Sequence, residues 1–266
     1  GGRAVWEEGG WQVTYLPDPG PDEGVIDLEQ AFRHTLPPSD PALTQVATRF
    51  QAHEDWAESW KQGLGVRRIS PRLLVAPTWV ESPPHPDEHV LVLDPGMAFG
   101  TAEHGTTRGC LRLLDQVVQA QDRILDVGSG SGILGIAAAL IGAAFVRGLE
   151  MDEWAVDAAR ENALRNHVGD RVAFQTLQVT PETLAAEGRW DGVIANMETG
   201  RLRPLLAGLV SAVRPGGWII LSGILEHELS GVGEEMVGLG VEFDRSDSDG
   251  EWRSALFRSP DPSRGA

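Results

Sequence analysis

Cysteine is almost absent from this chain: Cys110 stands alone, so no internal disulfide can form and a reducing compartment, the cytoplasm, is expected. Basic residues are also scarce. Only 22 lysines and arginines face 39 aspartates and glutamates, a net charge of −17 that repels phosphate backbones and argues against a nucleic acid as direct substrate. A basic protein partner suits that charge better. No run approaches the ~20 apolar residues that span a bilayer, and no basic segment followed by an apolar one opens the chain, so neither a membrane partner nor a secretory leader is expected. The chain begins Gly1-Gly2-Arg3 without methionine, which reads as a fragment or a processed form. Metal-ligand clusters are lacking too. His85, Asp87 and His89 share a proline-broken loop with no second cluster of ligands, and no metal is expected.

What is present is room, in 266 residues, for one large α/β domain and a smaller piece. The large domain is organised around Asp126, Gly128, Gly130 and Gly132 in the run D-V-G-S-G-S-G, between an apolar stretch at 123–125 and a small-residue stretch at 133–141. The pattern reads as a buried strand, a glycine turn and a helix that begins at once. Glycines let the backbone approach a ligand, and the helix start offers unpaired N–H groups. Twenty-two residues after Gly128, the next apolar run ends in Glu150, where an acid at a strand tip commonly holds the hydroxyls of a ribose. Gly130, Gly132 and Gly135 also satisfy G-x-G-x-x-G, the dinucleotide spacing, which keeps an NAD-linked oxidoreductase as an alternative. That fingerprint should open at the strand end. Counted from Gly128 the spacing is G-x-G-x-G instead, and Asp126 suits a ligand carrying positive charge, such as the sulfonium and ammonium of S-adenosylmethionine.

In chain order, residues 1–52 read as a small α+β piece: strands at 4–7 and 11–16 about Gly9 and Gly10, a helix at 28–34 and an extended run at 46–50. Two or three strands and one helix make a thin core for independent folding. Residues 53–64 read as a linker helix with Trp56 and Trp60 on one face. Extended runs follow at 72–77 and 89–94. A loop at 94–107, rich in small and polar residues, then forms the natural lid over the ligand, and Thr106 or Thr107 is placed to cap the helix expected at 107–118. Downstream, helices at 154–166, 202–213 and 226–238 alternate with strands at 171–177, 190–196 and 218–222, and 241–245 and 252–257 form a closing hairpin about Asp249 and Gly250. The large domain thus covers 65–258. The tail at 259–266, rich in proline, serine and glycine, reads as disordered.

The stretch D-P-G-M-A-F-G-T-A-E-H-G-T-T from Asp94 to Thr107, the Asp126 glycine motif and the run Ile194-Ala195-Asn196 together resemble the bacterial PrmA family, which methylates protein 11 of the large ribosomal subunit. The similarity extends from about residue 50 to the C-terminus. D-P-G-x-A-F-G-T is specific to that family, whereas the glycine motif marks the broad class I methyltransferases. The resemblance implies an α/β fold: a doubly wound, mostly parallel seven-stranded sheet with an antiparallel edge strand. It also implies a small ferredoxin-like N-terminal domain that holds the substrate protein, of which residues 1–52 match the later part. It implies S-adenosylmethionine as methyl donor, S-adenosylhomocysteine as product, and lysine or N-terminal amines as acceptors. The family's cofactor contacts would fall on Thr107, Gly128, Glu150 and Asn196, to which the reading of the glycine turn adds Asp126, Gly130 and Gly132. Three departures stand out: Ala102 and Gly105 replace a glycine and a proline of the loop, Glu150 replaces an aspartate, and Met197, Glu198 and Thr199 follow Asn196. A positive φ at position 102 would strain Ala102.

The expected reaction is an in-line displacement in which the protein supplies alignment and desolvation. Asn196, at a strand end beside the crevice, is the catalytic candidate, its side-chain carbonyl accepting a hydrogen bond from the amine. Glu103 and His104 are further candidates for steering or proton transfer. Besides the oxidoreductase, a non-catalytic cofactor-binding relative remains open.

Overall fold

The computed structural model describes residues 65–80, 85–93 and 102–262 in full and the backbone of 5–8 and 11–14. The helix expected at 28–34, the extended run at 46–50, the linker helix at 53–64 and the 94–101 stretch of the loop lie outside the described residues. The chain divides into two units, residues 1–62 and 63–266. In the first, β1 (Val5–Glu8) and β2 (Trp11–Thr14) pair antiparallel with Glu8 opposite Trp11, the hairpin expected there.

The second unit carries two sheets. In the smaller one, β4 (Leu73–Ala76) lies between β3 (Arg67–Arg68), antiparallel, and β5 (His89–Val92), parallel. The larger contains β6 (Arg123–Val127), β7 (Phe145–Glu150), β8 (Val172–Thr176), β9 (Trp190–Asn196), β10 (Val213–Leu225), β11 (Glu242–Asp249) and β12 (Trp252–Arg258). Their order is β11-β12-β10-β9-β6-β7-β8. All neighbours from β10 to β8 run parallel, and the closing hairpin inserts β12 antiparallel to β10, leaving β11 as the outermost strand. From β6 the chain proceeds outward through β7 and β8, then returns to β9 on the other side of β6. A reversal of this kind opens a crevice at the carboxyl ends of the strands.

Among the described residues, seven α-helices accompany the sheet: α1 (Gly105–Val117), α2 (Ile133–Ile141), α3 (Glu153–Arg165), α4 (Pro181–Ala186), α5 (Thr199–Leu202), α6 (Leu206–Ala212) and α7 (Leu229–Gly238). Side chains alternate between two cores because a strand repeats every second residue. Ile124, Val146, Ile194 and Ile220 enter the core beneath α1 and α2, whereas Leu125, Leu149, Val193 and Leu221 enter the core shared with α6 and α7. Strands buried on both sides read as continuous apolar runs, which is why they are recognisable in the sequence.

Several local readings are corrected. The single helix expected at 202–213 is broken into α5, a 3₁₀ turn at Arg203–Leu205 and α6, because Pro204 cannot donate an N–H to a continuous helix. The helix expected from 226 opens as a 3₁₀ turn, Glu226–Glu228. Helix α4 was not anticipated, although Thr180, Pro181 and Thr183 spell a capping box with proline at the first helical position. At the start of the tail expected at 259–266, Ser259 donates to the Gly217 carbonyl at 3.0 Å and accepts from the Gly216 amide at 3.0 Å, and residues 263–266 lie outside the described residues.

Candidate active site

The turn after β6 is left-handed at each of its three motif glycines, Gly128 (φ 73°), Gly130 (φ 51°) and Gly132 (φ 79°). A side chain there would be strained, so the spacing of the motif is a backbone requirement. The amides of Gly128 and Ser129 donate to the Leu149 carbonyl at 2.8 and 3.1 Å, which pins the turn to the end of β7. Glu150 completes the tie. Its Oε2 accepts from the Gly130 amide at 3.0 Å, and its Oε1 accepts from the amides of Met151 and Asp152 at 2.8 and 3.1 Å.

Two supports for this turn were not singled out in the sequence. Asn162 of α3 donates from Nδ2 to the Ser131 carbonyl at 3.0 Å, inside the protein. Phe174 of β8 fills the space beneath the turn, where a Cβ on Gly132 or Gly148 would come within 2.6 or 2.3 Å of its ring. Gly148 therefore serves packing as much as the motif glycines serve the turn. Its signal was a glycine inside a strand, which often marks a close approach.

Asp126 lies on the α1–α2 side, two residues after Ile124, and is buried. Its Oδ2 accepts from the Gly135 amide at 3.0 Å, while Oδ1 has no hydrogen-bond partner among the protein atoms. Burial pushes the carboxyl up to about 7, with the Glu150 charge adding to the rise and the Gly135 amide opposing it. Thr107 Oγ1 and Ser129 Oγ are likewise buried without partners. Buried polar atoms in native proteins are normally paired; Asp126 and Ser129 stand at the glycine turn itself and Thr107 in the first turn of α1, where a polar ligand would meet them. The group fits S-adenosylmethionine: a carboxylate for its ammonium, hydroxyls for its amino-acid end, and Glu150 for the ribose.

Helix α1 begins at Gly105 with His104 as its N-cap, so neither Thr106 nor Thr107 caps it, contrary to expectation. Both threonines lie within the first turn, and Thr107 is fully buried. The Thr106 carbonyl accepts from Ser222 Oγ at 3.2 Å. Ser222 in turn pairs with Asn196 across β9 and β10, so the start of α1 rests over the strand end that carries Asn196. The Asn196 carboxamide makes no hydrogen bond with any described residue, and Met197 beyond it reaches within 3.1 Å of the Cβ position of Gly128. Gly223 makes this possible. Any Cβ there would fall 2.2 Å from the Met197 carbonyl oxygen.

The other two candidates sit differently. Glu103 is half-exposed and held by Arg67 through two bonds, at 2.9 and 2.8 Å. His104 Nδ1 lies 2.7 Å from Thr106 Oγ1, with its ring against Trp252 at 5.1 Å. Positive φ outside glycine occurs among the described residues only at Gln121 and His167, so Ala102 is spared the anticipated strain. Among the described residues no three His, Cys, Asp or Glu side chains gather as a metal site, and no helix is long and apolar enough to cross a membrane.

A seven-stranded sheet with this order, an antiparallel strand inserted beside its edge, and an acid tied to a glycine turn define a class I methyltransferase. A crystal structure of ribosomal protein L11 methylase from Lactobacillus delbrueckii subsp. bulgaricus superposes with a TM-score of 0.64 at 30% identity, covering 73% of this chain and 99% of that one. The family model for ribosomal protein L11 methyltransferase (PrmA) matches residues 26–260, and the chain belongs to that family. Relatives named ribosomal protein L11 methyltransferase include those of Chloroflexus aurantiacus, 37% identical over 94% of this chain and 82% of the relative, and Syntrophotalea carbinolica, 41% identical over 92% and 80%.

Proposed function

We propose that this chain transfers a methyl group from S-adenosylmethionine to amines of ribosomal protein L11, at lysine side chains or the N-terminus, in the cytoplasm. Family membership supports the substrate, and the observation that supports the cofactor is the set of unpartnered buried atoms on Thr107, Asp126 and Ser129, with Glu150 tied to the same glycine turn. When bound, S-adenosylmethionine supplies the electrophilic methyl and leaves as S-adenosylhomocysteine. Glu150 accepts the ribose hydroxyls through lone pairs left after its backbone bonds, Asp126 meets the ammonium, and the glycine turn lets the backbone lie against the ligand. Asn196 accepts a hydrogen bond from the incoming amine and aims its lone pair, an alignment whose benefit is greatest at the transition state. An acceptor lysine, with an ordinary pKa near 10.4, must lose its proton first, and burial in the crevice favours the neutral amine. His104 and Glu103, at the start of α1, are the candidates for passing that proton outward. The acidic surface, at a net charge of −17, suits a basic substrate protein.

Incubation with isotopically labelled S-adenosylmethionine and ribosomal protein L11, followed by mass spectrometry, should show label on lysine or the N-terminal amine. Label absent, with NAD bound on titration, would overturn this reading. Residues 1–52 are assigned to recognition of the protein substrate on the family resemblance. A chain shortened to begin at Glu54 should bind S-adenosylmethionine like the parent yet lose methylation of the protein, and full activity of that shortened chain would refute the assignment.

A further inference from the structure

Helix α1 meets the β11–β12 hairpin through paired residues one turn apart. Gly105 and Gly109 form a seam on which a Cβ would come within 3.0 Å of the Asp249 carbonyl oxygen and 2.3 Å of Ser254 Oγ, respectively, so the hairpin lies directly on the helix backbone. Beside that seam, Arg108 and Arg112 face Asp247 and Asp249, which share one side of β11. Arg108 grips Asp249 through Nε and Nη2 at 2.8 and 2.5 Å, and Arg112 grips Asp247 through Nε and Nη2 at 2.9 and 2.5 Å. Arg112 Nη2 also reaches Asp249 at 3.0 Å, joining the two forks into one lattice. The Arg108 side chain then continues to the carbonyls of Ala102 and Glu103, just ahead of the helix. All four charged groups are three-quarters or so withdrawn from solvent, where a two-bond fork is strong and directional.

We propose that Asp249 and Arg108 are positioning residues for methyl transfer: the hairpin tip holds residues 102–107, and through them the Thr107 hydroxyl, in register with Asn196. This assignment rests on the methyl-transfer reading above. The two forks differ in what they reach. Asp249–Arg108 touches the helix start and the chain before it, while Asp247–Arg112 is one turn further along. Glycine at position 105 suits this close approach, since a Cβ there would lie 3.0 Å from the Asp249 carbonyl oxygen and 3.2 Å from its Oδ1. Bonding from both arginines holds the Asp249 carboxyl down at about 2, so the clamp stays charged throughout the working pH range.

Asp249→Asn and Asp247→Asn each weaken one fork, and comparing them separates positioning from stability. Asp249→Asn should speed amide hydrogen exchange at residues 102–107 at least tenfold and lower kcat at saturating cofactor at least tenfold, with Asp249→Glu recovering most of both. Asp247→Asn should lower the thermal midpoint comparably while changing kcat less than threefold. Equal losses of kcat in both variants, in step with their thermal midpoints, would reduce the lattice to a structural brace and overturn the proposal. So would unchanged exchange at 102–107 in Asp249→Asn. Exchange is read on the protein alone, so a parent that fails to methylate would sink the proposed function while leaving the clamp decided by exchange.

Discussion

The Gly130 amide donates to Glu150 Oε2 at 3.0 Å, so the acid at the end of β7 is fastened to the turn that follows β6. Glu150, the proposed ribose acceptor, and the glycine backbone therefore form one preorganised element, and a change in either disturbs both.

Glu150→Ala removes a charge-assisted acceptor and frees the turn. Affinity for S-adenosylmethionine should fall by on the order of 1.5–3 kcal/mol, roughly ten- to a hundredfold. Calorimetry measures it directly, and an unaltered affinity would place the ribose elsewhere.

Asp126 gives the site a pH dependence. Its carboxyl rises from 3.8 to about 7 in the folded protein, so between those values the folded chain keeps a proton that the unfolded chain has released. Its contribution to stability is full below pH 3.8 and lost as pH climbs to about 7. Ligand binding runs the other way, because an ammonium favours the ionised carboxyl. Affinity for S-adenosylmethionine should rise with pH up to about 7, with a proton released on binding at lower pH. Of the neighbouring groups, Glu150 adds negative charge, while the Cys110 thiol, raised to about 12 mainly by burial, stays protonated throughout. Calorimetry in buffers of different ionisation enthalpy counts the proton. Asp126→Asn should abolish its release, and a release that persists would assign the proton to another group.

Asn196→Ala tests alignment. The chemical step should slow by about 10²-fold while cofactor affinity changes only a few-fold, because the hydrogen bond to the amine matters chiefly at the transition state. Single-turnover rates at saturating cofactor isolate that step. A variant turning over like its parent would shift attention to His104 and Glu103.

Gly148→Ala should destabilise the fold through overpacking, since the new methyl would sit 2.3 Å from the Phe174 ring. A loss on the order of 1–3 kcal/mol is expected, seen as a fall in Tm of roughly 2–4 °C per kcal/mol for a domain of this size. Phe174→Leu in the same chain should recover part of it. If the double variant is no more stable than Gly148→Ala alone, the clash lies elsewhere.

The order of strands and helices around Asp126, Gly128 and Glu150 was legible in the sequence because buried parallel strands read as apolar runs and a left-handed turn demands glycine. Both are local rules, and they hold before any tertiary contact forms. Asn196 was legible for a similar reason: it ends a seven-residue strand that the structure reproduces, Trp190–Asn196. The start of α1 was not. Two threonines suggested caps, but the hairpin tip reaches back across the sequence to Gly105 and Arg108, and this distant packing moved the helix start to position 105. Packing of the same kind decided that Glu103 faces Arg67, that Phe174 fills the space left by Gly132 and Gly148, and that Gly223 admits the Met197 carbonyl. The sequence by itself determined the turn, the strand ends and the acid, because backbone sterics and apolar periodicity act within a few residues. Only the tertiary structure decided which polar atoms are left buried and unpaired and which arginine meets which aspartate, because those depend on segments more than a hundred residues apart arriving at the same place.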